Sequence, residues 1–425
     1  MNWISSRVAV AGAIAIIGVA GCAGTTSNPA VPSAPPSVTA SAITSPTLTP
    51  SAAPTPSPTP APPLTLVPTG NMHAARGGAT ATLLKNGKVL IAGGEAAREG
   101  ANQSLTWTYY ASAEIYDPAT GKFANTGSMT AARADATAVR LADGRVLIAG
   151  GDGCWDPKHC TNIQGEAANS LLSADIYDPA TGKFTRTGSL TADVSTDQAA
   201  VLLPDGKVMM AIYGPAAELF DPTTGEFTSS GRTGSSPPNT ATLLLNGKVL
   251  VTGDSSVPLL YDEATGKFTK ISLALPPGTP SAAYKDGSAI RRGNVYTATL
   301  LNDGRVLLFE DGYLETYDPA TGTCADVGFI SPGGDWVYPT ATLLADGRVL
   351  FAGGGLNADP VGFDSAGTNV AVVYDPSSGQ VSSGLMKRTG GGMTATLLLD
   401  GSVLIAGGGD ASRWNSIASA ELLKP

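Results

Sequence analysis

The chain has 425 residues, a formal net charge of −9 and a pI near 4.8. An acidic surface repels phosphate backbones, so nucleic acid is excluded as an expected partner. With 52 glycines, 31 prolines and 14% charged residues, the composition excludes a helical bundle and suits short strands joined by tight turns.

Residues 1–21 read as a targeting leader. Arg7 precedes an uncharged apolar run from Val8 to Ala20, too short for a comfortable bilayer span. The run ends in Val19-Ala20-Gly21-Cys22, which resembles a bacterial lipobox. That resemblance implies cleavage before Cys22 and a lipid on its sulfur; an ordinary secretory signal is the alternative. Both place the mature chain outside the cytoplasm, and the first adds a lipid membrane as a partner. Residues 22–63 read as a linker. Between Gly24 and Pro63 there are 12 prolines and no charge, so the segment cannot bury a core. At about 3.1 Å per residue, such a stalk could reach on the order of 100 Å.

From residue 64 to 425 two phrases alternate. The first, TATLLKNGKVLIAGG at Thr80–Gly94, recurs around Asp143-Gly144, Asp205-Gly206, Asn246-Gly247, Asp303-Gly304, Asp346-Gly347 and Asp400-Gly401. Asn-Gly or Asp-Gly between apolar runs predicts a hairpin, with both turn residues free to take positive φ. Its second strand is apolar on both faces, as a strand packed between two sheets must be. The second phrase, AEIYDPATGKF at Ala113–Phe123, returns as ADIYDPATGKF at Ala174–Phe184 and in weaker copies. Its Asp, Pro and Gly predict a turn between a third and a fourth strand. Seven units of four strands make a radial array. The last unit stops at its third strand, Ala418–Leu422, while Leu66–Met72 matches the fourth strand of unit 1, Phe123–Met129. The N-terminal strand is therefore expected to complete the last sheet and close the ring.

The double glycines Gly93-Gly94, Gly150-Gly151, Gly353-Gly354 and Gly407-Gly408, a tyrosine on the third strand, and Arg76 and Arg133 ahead of the first strand together resemble the Kelch repeat. The resemblance covers residues 64–425 and implies an all-β, seven-bladed β-propeller of four-stranded Kelch blades. Three units depart from it, at Ile212-Tyr213-Gly214, Gly253-Asp254 and Glu310-Asp311-Gly312.

Strand order puts both turn types on one face. The connections from second to third strand, and from blade to blade, share the other. The former are long in units 6, 7, 1 and 2, which neighbour one another in a closed ring, so they are expected to form one raised crescent. Trp107, Tyr109, Tyr110, Trp155, His159, Phe363 and Trp414 lie in these loops, with Trp336 on the same face. Such a group suits a sugar ring or a peptide; packing of the loops on one another is the competing reading. Cys154 and Cys160 are expected to pair and stiffen the longest loop. Arg76 and Arg133 either form a cationic ring that binds an acidic ligand or tie blades together through backbone carbonyls.

These readings favour a surface-anchored, monomeric, non-catalytic module that recognises a glycan or protein of the cell envelope, with no metal or other cofactor. The alternatives are an extracytoplasmic carbohydrate-active enzyme and an envelope scaffold. For the enzyme, a sugar epimerase or mutarotase fits better than a copper oxidase resembling galactose oxidase. The latter implies two histidine ligands, two tyrosines and a cysteine crosslinked to one of them, and the chain has two histidines in all.

Overall fold

The computed structural model describes residues 64–99, 105–154, 156, 160–163, 169–191, 198–213, 216–232, 237–253, 257–271, 294–331, 335–357, 365–387, 390–409 and 415–424. The leader, Cys22 and the linker lie outside these residues, as do Trp155, His159, Phe363 and Trp414.

Each double phrase folds into one antiparallel sheet. In blade 1 the strands Thr80–Leu83, Val89–Ala92, Ser112–Asp117 and Lys122–Ser128 pair in chain order. Blades 2 to 6 repeat this over residues 137–189, 198–230, 238–270, 295–329 and 340–385. Blade 7 takes three strands from residues 394–424 and its outer strand from Thr65–Pro68, in register from Thr65↔Lys424 to Pro68↔Glu421. The expected seven-bladed propeller and its closure by the N-terminal strand are thus both present.

The core lies between blades. All of Val89–Ala92 is buried. Val89 and Ile91 pack with Leu404 and Ala406 of blade 7, while Leu90 and Ala92 pack with Val146 and Ile148 of blade 2. Burying each such side chain contributes about 1.5–3 kcal/mol, so an apolar second strand glues its blade to both neighbours.

The hairpin turns differ from expectation in one respect. Leu84 N–H donates to the Lys88 carbonyl at 2.8 Å and Gly87 N–H to the Leu84 carbonyl at 3.0 Å, which closes a three-residue loop. Only the glycine is left-handed, with φ 81°. The Asn86 side chain instead accepts the Lys88 amide at 3.1 Å, which holds its own backbone on the ordinary side. The outer turn is as read. Asp117 Oδ1 accepts the Ala119 amide at 3.0 Å and Gly121 has φ 64°.

The outer turn also clasps the preceding blade. Gly70 N–H donates to the Gly121 carbonyl at 2.9 Å, Gly127 to Gly182 at 3.0 Å and Gly188 to Gly225 at 2.8 Å. A side chain at Gly70 would fall on the Gly121 carbonyl oxygen. Beside it, Tyr116 packs on Phe123 with ring centroids 4.8 Å apart, and the pair recurs as Tyr177–Phe184, Phe220–Phe227 and Tyr261–Phe268. In blade 5 the phenylalanine position is held by Cys324, opposite Tyr317. Cys324 is 1% exposed, and burial pushes its thiol pKa up. It fills a core position and is inert there.

The double glycines make a second, inner clasp. A Cβ on Gly93 would fall on the Arg133 carbonyl oxygen of blade 2, and one on Gly407 or Gly353 would lie 2.5 or 2.7 Å from the Arg76 or Gly390 oxygen. Gly94 and Gly408 N–H donate to the Arg133 and Arg76 carbonyls at 2.8 Å each. Blades 6, 7, 1 and 2 are thereby locked in succession. A matched pair of substitutions separates this close approach from backbone handedness. Gly206 is left-handed with nothing near its would-be Cβ, so Gly206→Ala is expected to cost about 1–2 kcal/mol in urea unfolding. Gly93→Ala is expected to cost at least about twice that, and equal costs would contradict the clasp.

Candidate functional site

The segments leading into the first strands sit around the axis on the loop face. Arg76 is 1% exposed and donates to the Gly93 carbonyl at 2.6 Å, the Ser112 carbonyl at 3.0 Å and Glu114 at 3.2 Å. Arg133 repeats this set with Gly150 at 2.7 Å, Ser173 at 2.8 Å and Asp175 at 3.2 Å. Trp336 does the same work in blade 6: it is fully buried, and its Nε1 donates to the Gly353 carbonyl at 2.6 Å. For Arg76 and Arg133 burial and these bonds fit the second of the two readings, a tie through backbone carbonyls, made within the blade; for Trp336 the expected place in the ligand group is corrected to the core. All three tie the end of the second strand to the lead-in segment. Aspartate is one methylene shorter than glutamate, so Arg133 Nε has no partner where Arg76 Nε reaches Glu114 at 3.3 Å.

The carboxylates on the third strand were not singled out from sequence. Glu114 accepts the His73 amide at 2.8 Å, Asp175 the Thr130 amide at 3.2 Å, Glu218 the Thr191 amide at 2.9 Å and Glu421 the Lys387 amide at 3.2 Å. Each amide follows a buried Met or Leu, at Met72, Met129, Leu190 and Met386. Burial works against ionisation of Glu114, but hydrogen bonds from His73 and the charge of Arg76 outweigh it and hold its pKa low. The pattern was visible in four blades as an acid two residues before the tyrosine or phenylalanine, at Glu114, Asp175, Glu218 and Glu315, and in the last blade as Glu421 two before Leu423. His73 closes the blade 7 to blade 1 seam, its Nδ1 2.9 Å from Glu114 Oε2.

Two residues past Arg76 and Arg133 the chain turns left-handed at Gly78 (φ 60°) and Asp135 (φ 51°), and the same position in blades 6 and 7 is Tyr338 (φ 52°) and Gly392 (φ 66°). Gly78 N–H donates to the Gly392 carbonyl at 3.2 Å and Asp135 N–H to the Gly78 carbonyl at 2.8 Å, so these residues form the inner rim. Asp135, Asp311 and Tyr338 are the left-handed non-glycine residues among those described, and all three lie on this face. Tyr296 donates its hydroxyl to Asp311 at 3.1 Å and packs edge-on against Tyr338, centroids 4.5 Å apart. Left-handed backbone costs about 1–2 kcal/mol at each non-glycine, and such strain gathers at functional sites.

Beside that rim the charges of Asp135 and Asp152 act on Glu95. Glu95 follows Gly94, and its backbone exchanges two hydrogen bonds with Gly77, at 2.9 and 2.8 Å. Tyr109, 4% exposed, hydrogen-bonds the Glu95 carboxyl. Burial first, then repulsion from Asp135 and Asp152, pushes the Glu95 pKa up to about 8. Glu95 Oε2 is closed to solvent and has no hydrogen-bond partner.

The crescent loops build small sheets of their own. Glu95–Glu99 and Leu105–Tyr109 form a hairpin, and Thr161–Ile163 from blade 2 adds a third strand, with Asn162 opposite Trp107. Cys154 and Cys160 are joined by the expected disulfide. Gly355–Asn357 pairs with Asp335–Val337 and Ser365–Gly367 on blade 6. Trp107 is half-buried and packs on the cluster between blades 1 and 2. Tyr110 lies over the Arg76 guanidinium at 5.0 Å. Of the tryptophans expected together on this face, Trp336 is in the core, and Trp155 and Trp414 lie outside the described residues. On the opposite face a groove of about 560 Å³ between blades 2 and 3 is lined by charges that pair with one another, Arg145 with Asp143 at 2.7 Å and Lys207 with Asp205 at 3.2 Å.

No family model matches the chain, and no curated protein matches it. Among solved structures it is similar to a fungal alcohol oxidase of the AA5 family in complex with copper. The two share 15% identity with a TM-score of 0.58, over 85% of this chain and 76% of that one. It is also similar to a streptogramin B lyase, at 14% identity and a TM-score of 0.54, over 85% of this chain and 98% of that one. At these identities the likeness is one of fold, and with the seven blades it fits a Kelch-like propeller. The donors among the described residues do not fit a copper centre of the oxidase kind. Among the described residues no three His, Cys, Asp or Glu side chains are placed to hold a metal, His73 is committed to Glu114, and Cys154 is bonded to Cys160.

The raised Glu95 pKa has a stability consequence. Below its ordinary value near 4.5 the carboxyl is protonated in both folded and unfolded chains. Between there and about 8 the unfolded chain sheds the proton and the folded chain keeps it, so stability falls as pH rises. Glu95→Gln is therefore expected to change the urea midpoint little at pH 4.5 and to stabilise by on the order of 1–3 kcal/mol at pH 8.5. A gain independent of pH would contradict the protonated carboxyl.

Proposed function

We propose that this protein is an extracytoplasmic binding module, anchored through a lipid on Cys22 and held off the membrane by residues 22–63, that recognises a glycan or protein with its loop face. The observation that carries the reading is the pairing of Leu105–Tyr109 with Thr161–Ile163. Loops from two blades become one sheet with Trp107 in its middle strand, stiffened nearby by the Cys154–Cys160 disulfide. A preformed sheet on a locked scaffold lowers the ordering cost of binding. Among the described residues the turn face is built of repeated short turns, and the groove on it is lined by charges that pair with one another.

A second reading has its own support. Glu95 keeps a proton near neutral pH beside Tyr109, the equipment of an acid–base enzyme acting on sugars. The binding reading is preferred because the described loops of blades 1 and 2 join in one sheet that carries the half-buried Trp107.

Pulldown on isolated cell-envelope glycan and protein fractions tests the binding reading. Changing Trp107, Trp155 and Trp414 together to alanine is expected to lower binding by at least about tenfold. Binding that survives all three changes would exclude the crescent. For the anchor, Cys22→Ser is expected to move the protein from the membrane fraction to the soluble extracytoplasmic fraction; unchanged membrane association would contradict lipidation.

A further inference from the structure

Blade 7 has the acceptors of an arginine socket without the arginine. In blade 1, Arg76 Nη1 donates to the Gly93 and Ser112 carbonyls, and Nη2 donates to Ser112 Oγ at 2.8 Å and to Glu114. In blade 2, Arg133 meets Gly150, Ser173 and Asp175 in the same order, with Ser173 Oγ at 2.8 Å. Blade 7 repeats these acceptors as Gly407, Ser419 and Glu421, since Ala406 stands opposite Ala420 as Ala92 stands opposite Ala113. The arginine position lies four residues before the first strand begins at Thr80, Thr137 or Thr394, and in blade 7 it is Gly390. A Cβ there would fall on the Gly409 carbonyl oxygen, so the backbone bars a side chain.

These acceptors line a cavity of about 20 Å³, together with Met386, Met393 and Ile417. Ile417 is the one lining residue that is not buried, so it marks the mouth. Ser419 is 4% exposed, and its Oγ has no hydrogen-bond partner, whereas Ser112 and Ser173 each meet a guanidinium. Glu421 Oε2 accepts the Lys387 amide as Glu114 Oε2 accepts that of His73. In blade 1 the other oxygen, Oε1, is the one that takes Arg76. Met393 stands where blades 1 and 2 have Ala79 and Ala136. Its Cε lies 3.3 Å from where a Cβ on Gly390 would be, so it takes up the room of an arginine stem and leaves the place of the head group.

We propose that this socket binds a guanidinium group from outside the blade, carried by a small alkylguanidine or by an arginine of a partner. Carbonyl, hydroxyl and carboxylate in this arrangement already hold a guanidinium twice in this molecule, and its planar fork matches them. Met393 is unbranched and pliable, and gives way as the head group enters. The ligand removes the cost of an orphaned hydroxyl. The proposal goes beyond the crescent reading and does not rest on it.

Calorimetric titration of the full chain at pH 7 with ethylguanidinium chloride tests it. Binding is expected with a Kd on the order of 1 mM. Ethylammonium has the charge without the fork and ethylurea the plane without the charge; both are expected to bind at least about tenfold more weakly. Glu421→Gln is expected to lower the affinity at least about tenfold. Ser419→Ala is expected to lower it at least about threefold, while its melting temperature stays at or above that of the parent. Met393→Ala opens the socket to the width of its counterparts and is expected to tighten binding at least about threefold. A blocked Gly-Arg-Gly peptide that binds tighter than ethylguanidinium would assign the group to a partner's arginine; the reverse would assign it to a small guanidine. The proposal is overturned if ethylguanidinium does not bind, which would leave the socket to a buried water only, or if ethylammonium binds as well. It is also overturned if Glu421→Gln and Ser419→Ala bind unchanged, or if binding appears only after Arg388→Ala, which would show that the chain fills its own socket. Trp107→Ala is expected to leave ethylguanidinium binding within about twofold. Loss of envelope binding with guanidinium binding intact would therefore sink the crescent reading alone.

Discussion

The inner clasp between a glycine of one blade and a lead-in carbonyl of the next is the constraint on which the loop face depends. A backbone can approach another this closely only where one partner lacks a Cβ. At Gly93, Gly353 and Gly407 it does so against Arg133, Gly390 and Arg76, and the approach runs unbroken from blade 6 through 7 and 1 to blade 2. Beyond Gly150 the neighbouring position in blade 3 is met by the side chain of Gln198 instead. The arc of clasped blades and the arc of long loops are the same arc.

That coincidence has a physical cause. Where the lead-in segment of the next blade packs against the end of the second strand, the chain leaving that strand must rise over the rim. Its first residues then find backbone partners there: Glu95 pairs with Gly77, and Gly409 N–H donates to the Gly391 carbonyl at 2.9 Å. A loop that begins with a bridge is nucleated as sheet, and the hairpin of blade 1 can recruit Thr161–Ile163 from blade 2. The buried arginines, with Trp336 in the same role, lock the arrangement from beneath.

Much of this was legible in the sequence because it recurs within each blade at short range. Turn glycines, the aspartate of the outer turn, the wholly apolar second strand and the match between Leu66–Met72 and Phe123–Met129 are local signals, and they specify blades and closure. Trp336 was misread because its role appears only when it is counted back from Gly353, the way Arg76 is from Gly93; as a lone tryptophan before a blade it looks like surface. Glu95, Asp135 and Asp152 are unremarkable in the chain. The fold alone lets the charges of the two aspartates act on Glu95, and hairpin and rim geometry bury Tyr109 on Glu95. The disulfide was readable from spacing and from the compartment the leader led one to expect. The small sheets were not, since strands of three to five residues carry no period to detect.

Amide hydrogen exchange at Gly94 and Gly408 tests the clasp most directly, because these two N–H groups lie outside the regular strand ladders yet bond across blade boundaries. They are predicted to exchange only through global unfolding, as slowly as the second-strand amides of Ile91 and Leu404. Exchange as fast as that of the turn-face amides at Gly206 and Lys207 would show that the blades are not joined there, and the account of the loop face as a surface held rigid by the inner clasp would fail.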